Sequence, residues 1–282
     1  MPTVLQTPRR SAAATAWLRP DRAWPAVMGV LNVTPDSFSD GGRFNEADRA
    51  IARARQMIAE GADIIDIGAE STRPYGGQQP VGADEEIDRL RPVLKAAADL
   101  GAPVSIDTMK AGVARFALDN GAAILNDVWG LQRDPDMARV AAEYHVPVVA
   151  MHNRTEADPR IDIMQDIAGF FTRTLDIADR AGIARKDIVL DPGIGFGKTA
   201  EQSLTALARL SELHVFGCPL LVGASRKRFI DSVVPSAPTE RIGGSLAAHL
   251  IAARAGAAIV RVHDVAETVQ ALRVAAAIES RK

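Results

Sequence analysis

The sequence predicts an α/β fold: a single-domain (β/α)8 TIM barrel with mobile active-site loops at the C-terminal face of the strands. Three observations carry that expectation. Short, unbroken aliphatic runs recur through the chain, amphipathic Ala- and Arg-rich segments lie between them, and glycine closes several of those segments, as in "EGAD", "DLGAP", "DNGAA", "RAGIA" and "RAGAA". Unbroken rather than alternating apolar runs are expected of parallel strands covered by helices. A glycine after the last helical turn is a common stop signal. Strict alternation through eight units favours a closed barrel over an open sheet.

The expected strands are "AVMGVLNV" (26–33), "DIIDIGA" (63–69), "PVSID" (103–107), "AILNDV" (123–128), "VPVVAMH" (146–152), "DIVLDP" (187–192), "PLLVGAS" (219–225) and "AIVRVHD" (258–264). The first helix is expected over 46–62, where Ile51, Ala54, Arg55 and Ile58 keep helical spacing and Gly61 ends it. Further helices are expected at 84–100, 110–120, 136–144, 162–181, 201–213, 240–255 and 265–279. The loop "NRTEADPRIDI" is roomy, which marks it as mobile or functional. No Pro/Ser linker divides the chain, so residues 26–282 read as one barrel. Residues 1–25 contain Arg9, Arg10, Arg19 and Arg22 with little periodicity, and read as an N-terminal extension.

Composition narrows the function. The chain has 282 residues, is 47% hydrophobic and carries a formal net charge of −2. That balance gives no reason to expect a nucleic-acid or membrane partner, so any anion site must be local. No apolar run reaches the length of a transmembrane span. The single cysteine, Cys218, excludes an intramolecular disulfide and fits a reducing, cytoplasmic setting.

In this architecture the site is built at the C-terminal strand ends. Read in order, those ends offer Asn32, Asp66 with Glu70, Asp107, Asn126 with Asp127, Met151 with His152, Asp191, Ser225 with Arg226 and Lys227, and Arg261, His263 and Asp264. Any one of these is usually a cap or turn former. Eight ends converging on one face are harder to explain that way. Asp107, Asn126, Asp191 and Lys227 suit a flat heteroaromatic ring rich in N–H donors and ring nitrogens. Arg73, Arg261 and His263 form a separate basic set suited to an oligoanion such as a diphosphate. The segments "LNVTPDSFSDGG" (31–42) and "ESTRPYGGQQP" (70–80) are turn-rich and suit lids.

The stretch "DPGIGFGKT" (191–199) looks at first like a nucleotide-binding loop. The spacing argues otherwise: only three residues separate Gly193 from Gly197, where that motif needs four. The glycine it requires is replaced by Pro192, which has no N–H to offer a phosphate.

The motifs "MGVLNVTPDSFSDGGRF", "DIGAESTRP", "SIDT", "LNDV", "VAMH", "LDPGIGFGKT", "LLVGASRK" and "RVHDV" occur in this order from about Ala26 onward. Together they resemble the dihydropteroate synthases. The resemblance implies condensation of 7,8-dihydropterin-6-ylmethyl diphosphate with 4-aminobenzoate, releasing diphosphate, by a dissociative, S_N1-like route with Mg²⁺. It implies that Asp107, Asn126, Asp191 and Lys227 hold the pterin, with Met151 and Phe196 lining its pocket. Arg73, Arg261 and His263 would hold the diphosphate, and Asn32 would be the magnesium-associated asparagine. Thr72 and Pro74 match positions beside the aminobenzoate. Asp36 and Asp40 lie in the first loop, where with Asp107 they would stabilise the cation left by diphosphate departure. Lys198 and Thr199 would be helix-entry residues. A homodimer through the last two helices is the family expectation, and "ERIGGSLAAHLIAARAGA" (240–257) is apolar round much of its circumference.

Two departures from the family pattern fall near the aminobenzoate site. Arg228 follows "SRK" where a serine is common, and "YGGQQP" is longer than the usual segment after "STRP". The competing readings are a pterin-binding methyltransferase of the same barrel class and a non-catalytic pterin-binding homologue. The first has no need of "TPDSFSDGG", "STRP" or "RVHD". The second should have lost Asn32, Arg73, Arg261 or His263, and all four are present.

Overall fold

The computed structural model describes residues 23–34, 43–70 and 81–281. Strands β1 (Ala26–Asn32), β2 (Ile64–Gly68), β3 (Val104–Asp107), β4 (Ile124–Asp127), β5 (Val148–Met151), β6 (Ile188–Asp191), β7 (Leu221–Val222) and β8 (Ile259–Val262) pair in parallel, with β1 between β2 and β8. A single bridge from Leu190 to Leu220 brings β6 onto β7 and closes the barrel. The Leu190 N–H donates to the Pro219 carbonyl across that seam at 2.9 Å.

Helices α1 (Arg43–Ala59), α2 (Ala83–Ala98), α3 (Ala111–Asp119), α4 (Met137–Tyr144), α5 (Ile163–Ala181), α6 (Ala200–Ala208), α7 (Arg228–Val233), α8 (Ile242–Arg254) and α9 (Val265–Glu279) form the outer ring. Glycine is the C-cap of α5, whereas α4 ends on His145 in the left-handed region. Gly182 caps α5 in the left-handed region at φ 80°, where an L side chain would be strained. The start of α5 is fixed by Asp162, whose carboxylate accepts from the N–H groups of Met164 and Gln165 at 2.9 and 3.2 Å.

The interior is layered by the period of two along each strand. Ala26, Met28, Ile64, Ile124, Val149, Val189, Leu221 and Ile259 form one fully buried apolar layer. Two residues further along the strands stand Asp66, Asn126, Met151, Asp191 and Arg261. Outside the strands a larger cluster packs sheet against helices, with Phe171, Leu90 and Leu118 among its buried side chains.

Several expectations need correction. β7 ends at Val222 rather than Ser225, because the chain leaves the ladder at Gly223 to turn into α7. The sixth helix stops at Ala208, and a 3-10 segment, Leu210–Phe216, completes the stretch. On α1, Arg55 faces solvent, and the inward stripe is Ala47, Ala50, Ala54 and Met57. The loop expected to be roomy is anchored. Arg154 Nη1 donates to Asp166 of α5 at 2.8 Å, and Gln202 of α6 donates to the Asp158 carbonyl at 2.7 Å. The N-terminal extension before Ala23, and the lid segments 35–42 and 71–80, lie outside the described residues.

Candidate active site

The centre of the barrel mouth is a polar cluster built from four strands. From β8, Arg261 donates through Nε to Asp66 Oδ2 and through Nη2 to Asp107 Oδ2, each at 2.6 Å. Asn126 of β4 donates to the same Asp66 oxygen at 3.1 Å. The register brings these groups together, since Asp107 lies beside Asn126 and Gly68 beside Asp107. Gly68 leaves room there: a Cβ on it would sit 3.5 Å from the Asp107 Cβ. Asp66 Oδ1 and Asp107 Oδ1 are buried without a hydrogen-bond partner among the described residues. Buried carboxylate oxygens are costly to leave unpaired. Both therefore suit N–H donors brought by a ligand.

The charge count explains the electrostatics. Two largely buried carboxylates and one partly buried guanidinium lie together. Burial pushes the Asp107 carboxyl up to about 7; Arg261 opposes this, and the neighbouring Asp66 adds to it. Burial also opposes the charge on Arg261, but Asp66 and Asp107 outweigh it and hold the guanidinium protonated.

Asp191, at the end of β6, forms the second part of the site. Its Oδ1 accepts from the Gly193 N–H at 2.7 Å. Burial raises its pKa, while Lys227, the Gly193 N–H and Arg261 pull the other way. The turn that follows packs against the chain after β5. Gly193 has φ 64°, and a Cβ on it would come within 2.0 Å of the His152 carbonyl oxygen. Only glycine fits there, so the glycines of "DPGIGFGKT" serve the turn rather than a phosphate.

Lys227 reaches into the mouth from the N-terminal cap of α7 and donates to the Ile194 carbonyl. Its ammonium stands 4.4 Å from the centre of the Phe196 ring, a cation–π distance. Burial pushes Lys227 down to about 7, although Asp191 favours its charged form. The preceding residue holds this geometry. Arg226 adopts φ 58°, its N–H donates to Ser245 Oγ at 2.9 Å, and its carbonyl accepts from Arg241 Nη1 at 3.1 Å. The Arg226 guanidinium pairs with Asp264. Phe196 and Met151 join Val128 in a small apolar cluster beside these charges, with Met109 and Trp129 packed against it. An apolar wall thus stands beside a polar edge.

The remaining sequence-derived residues divide clearly. Asn32 ends β1, partly exposed and level with Gly68, so it belongs to the same mouth. His263 lies just past β8, with Nδ1 3.0 Å from Ser225 Oγ. Arg228 is exposed at the first position of α7. Asp36, Asp40, Thr72, Arg73 and Pro74 lie outside the described residues. The structure brings Asp107, Asn126, Met151, Asp191, Phe196, Lys227 and Arg261 to one mouth. Arg261, expected among the anion-binding groups, is bonded to the carboxylates of the cluster.

Sequence reasoning missed two features. Asp66 was visible as a strand-end residue but was given no role, although its position two residues after Ile64 already turned it inward. Lys198 is not a simple helix-entry residue. Thr199 is the cap of α6, whereas Lys198 is buried beneath the turn.

Comparison with known proteins gives this geometry a family. The model of the pterin binding enzymes matches residues 28–263. The dihydropteroate synthase of Bacillus subtilis is 48% identical over 240 residues, spanning 85% of this chain and 83% of its own length. A Clostridium difficile dihydropteroate synthase, solved in the presence of pteroic acid, superposes with a TM-score of 0.87 at 48% identity, covering 90% of this chain and 97% of the other. The Xanthomonas albilineans dihydropteroate synthase with 4-aminobenzoic acid also gives 0.87, at 42% identity, covering 92% and 94%. The match runs through the strands whose ends build the mouth, and the chain belongs to the pterin-binding enzymes and, within them, to the dihydropteroate synthases, a family of transferases.

Proposed function

We propose that this chain joins 7,8-dihydropterin-6-ylmethyl diphosphate to 4-aminobenzoate. The methylene C–O bond to the diphosphate breaks, a C–N bond to the arylamine forms, and the arylamine proton and diphosphate leave. The observation that carries the proposal is the polar edge of Asp107, Asn126, Asp191 and Lys227 beside the apolar wall of Met151 and Phe196. An aminopyrimidine edge presents N–H groups that buried carboxylates accept, and a ring carbonyl that Lys227 can donate to. The related structures were solved with pteroic acid, in which the pterin and aminobenzoate halves are already joined, and with 4-aminobenzoic acid alone, and both ligands support this reading.

Departure of diphosphate leaves positive charge on the pterin methylene. Asp107 stands in the buried cluster where such charge is stabilised, and Asp36 and Asp40 are proposed to add to it from the first loop. Arg73 and His263, with Arg261 once it exchanges its Asp107 contact, would hold the leaving anion. Thr72, Pro74 and Arg228 would border the second substrate. Mg²⁺ would be held through Asn32. Among the described residues no cluster of His, Cys, Asp and Glu offers a metal cage. A single partly exposed carboxamide at the mouth fits an ion that keeps its waters and takes phosphate oxygens. When bound, the ion would neutralise charge on the departing diphosphate.

The deciding experiment is diphosphate release when the purified chain meets the pterin diphosphate, 4-aminobenzoate and Mg²⁺. Release that depends on both substrates supports the reading. Pterin binding without release points to a non-catalytic homologue, and methyl transfer in its place points to the methyltransferase alternative. Two copies are proposed to pair through α8 and α9, where Ile251, Val274 and Ile278 are more than half exposed. A monomeric mass by light scattering at micromolar concentration would refute that pairing. Cytoplasmic residence is proposed from the single buried Cys218, and among the described residues no helix is long and apolar enough to cross a membrane.

A further inference from the structure

Lys198 is almost fully buried, with its ammonium on carbonyls of the turn that follows β6. Its ammonium has three N–H donors and meets three acceptors: the Gly193 carbonyl at 2.9 Å, the Phe196 carbonyl at 3.1 Å and His152 Nδ1 at 2.6 Å. Donor and acceptor numbers match. That match fixes the imidazole. With Nδ1 accepting, the His152 proton sits on Nε2, which donates to Asp166 Oδ2 at 3.0 Å. Arg154 Nη1 holds the other oxygen of Asp166 at 2.8 Å. Burial and the adjacent Lys198 push His152 down to about 3, so the ring is neutral at any working pH.

The peptide units that Lys198 grips are those that shape the pocket. The N–H of Gly193 orients the Asp191 carboxylate, and Phe196 supplies the ring under Lys227. The Phe196 N–H also closes on the Gly193 carbonyl at 3.0 Å, so this oxygen takes two donors. Lys227 grips the intervening Ile194 carbonyl. The turn is thus held by two ammonium groups through three of its carbonyls. The His152 N–H donates to the Asp191 carbonyl at 2.8 Å, which ties the same assembly to the strand end.

We propose that Lys198, with His152 as its tautomer-fixed acceptor, is a positioning residue for the pterin pocket, pre-setting Asp191 and Phe196. This rests on the reading of the mouth as a pterin site. Pre-organisation of this kind matters because a carboxylate and a ring wall displaced by about 1 Å lose much of their grip on a flat ligand. The groups facing Lys198 are Asp191 and Asp166, which favour its charge, and Lys227 and Arg154, which oppose it; burial is the larger influence and brings it down to about 7.

Two measurements test the proposal. In the unaltered protein, the ¹⁵N shifts of the His152 ring should report the Nε2–H tautomer. A protonated Nδ1 would overturn the proposal, because Lys198 would then have no acceptor there. In Lys198→Met, which keeps length and removes the donors, affinity for 6-hydroxymethylpterin should fall at least about ten-fold by calorimetry, as expected for losing several charge-assisted bonds. The KM for the pterin diphosphate should rise in step while that for 4-aminobenzoate holds within about two-fold, and the His152 tautomer preference should be lost. Unchanged pterin affinity, or equal rises in both KM values, would overturn it. Should the variant fail to fold, the tautomer measurement still decides. Failure of the unaltered protein to bind the pterin would refute the reading of the mouth, a separate outcome from either of these.

Discussion

The lower and upper inward layers of the barrel are two residues apart on the same strands, and although all but Arg261 of their residues are buried, they behave as opposites. Ile64 and Asp66 are both fully buried, and Ile124 and Asn126 nearly so. The lower layer is apolar apart from Ser105, which lies beside Ile124, and it is satisfied chiefly by contact. The upper layer holds carboxylates, a carboxamide and a guanidinium, which must be paired to be tolerated. It is only partly paired: one oxygen each of Asp66 and Asp107 has no hydrogen-bond partner among the described residues. The contrast teaches where the protein spends its stability. The lower layer contributes to folding, and the upper layer carries unsatisfied groups that a ligand can complete.

The strongest way to break the comparison is to place an upper-layer group in the lower layer. Val189→Asp should destabilise the fold by more than about 4 kcal/mol, because its register neighbour in that layer, Val149, is apolar and offers the carboxylate no donor. Denaturant unfolding checks this, and a folded variant of near-normal stability would show that the lower layer tolerates charge.

The reverse exchange should separate activity from stability. Asp107→Asn should lower kcat/KM by at least about 100-fold, in the range seen when a group that stabilises transition-state charge is removed. Its thermal midpoint at pH 8 should equal or exceed that of the unaltered protein. The sign follows from the raised pKa. The folded-state value of about 7 lies above the ordinary 3.8, so the folded protein binds the extra proton between them. Stability from this group is therefore present at pH 4, is lost as pH rises towards 7, and stays lost above. The gap between variant and parent should open across that window. A parent that gains stability relative to the variant over the same range would contradict the argument.

The difference between the layers also marks how far the sequence can be read. Continuous runs such as "DIVLDP" and the glycine stops revealed strand order and helix ends, because these depend on local periodicity and backbone freedom. The strand-end rule placed Asp107, Asn126, Asp191 and Lys227, and the structure brings all four to one mouth. Bonds between strands distant in sequence were not legible. Nothing local links Asp66 with Arg261, which are 195 residues apart. Lys198 illustrates the same limit: a lysine before a helix cap reads as exposed, and only the folded turn shows it buried on His152. The short β7 was hidden because "PLLVGAS" looks the same whether or not its last residues keep a ladder.

A smaller change within the upper layer sharpens the account. Asp191→Asn preserves size but puts an amide donor where the carboxylate accepts. One position is already constrained by the Gly193 N–H at 2.7 Å, so rotation of the amide relieves one clash by creating another. A mispaired buried group of this kind costs about 1–3 kcal/mol, or about 5- to 150-fold in pterin affinity. Titration calorimetry with a pterin ligand measures it, and near-normal affinity would remove Asp191 from the site.

The smallest effect is expected at the rim, where the upper layer meets solvent. Arg228 opens α7 directly after Lys227, and Arg226, braced by Ser245 and Arg241, fixes the backbone that presents both. The two neighbours differ in what surrounds them. Lys227 is partly buried with its ammonium over Phe196, whereas Arg228 is exposed, so water screens any pairing of its guanidinium with a carboxylate. Arg228→Ser should therefore alter stability by less than about 0.5 kcal/mol, the usual range for an exposed position. It should keep kcat and shift the KM for 4-aminobenzoate only a few-fold, about the 0.2–1 kcal/mol of an exposed ion pair. The KM for the pterin diphosphate should move less, since the groups proposed to hold the pterin are untouched. Steady-state kinetics with each substrate varied in turn decides the matter, and a shift confined to the pterin diphosphate would place the second substrate away from α7.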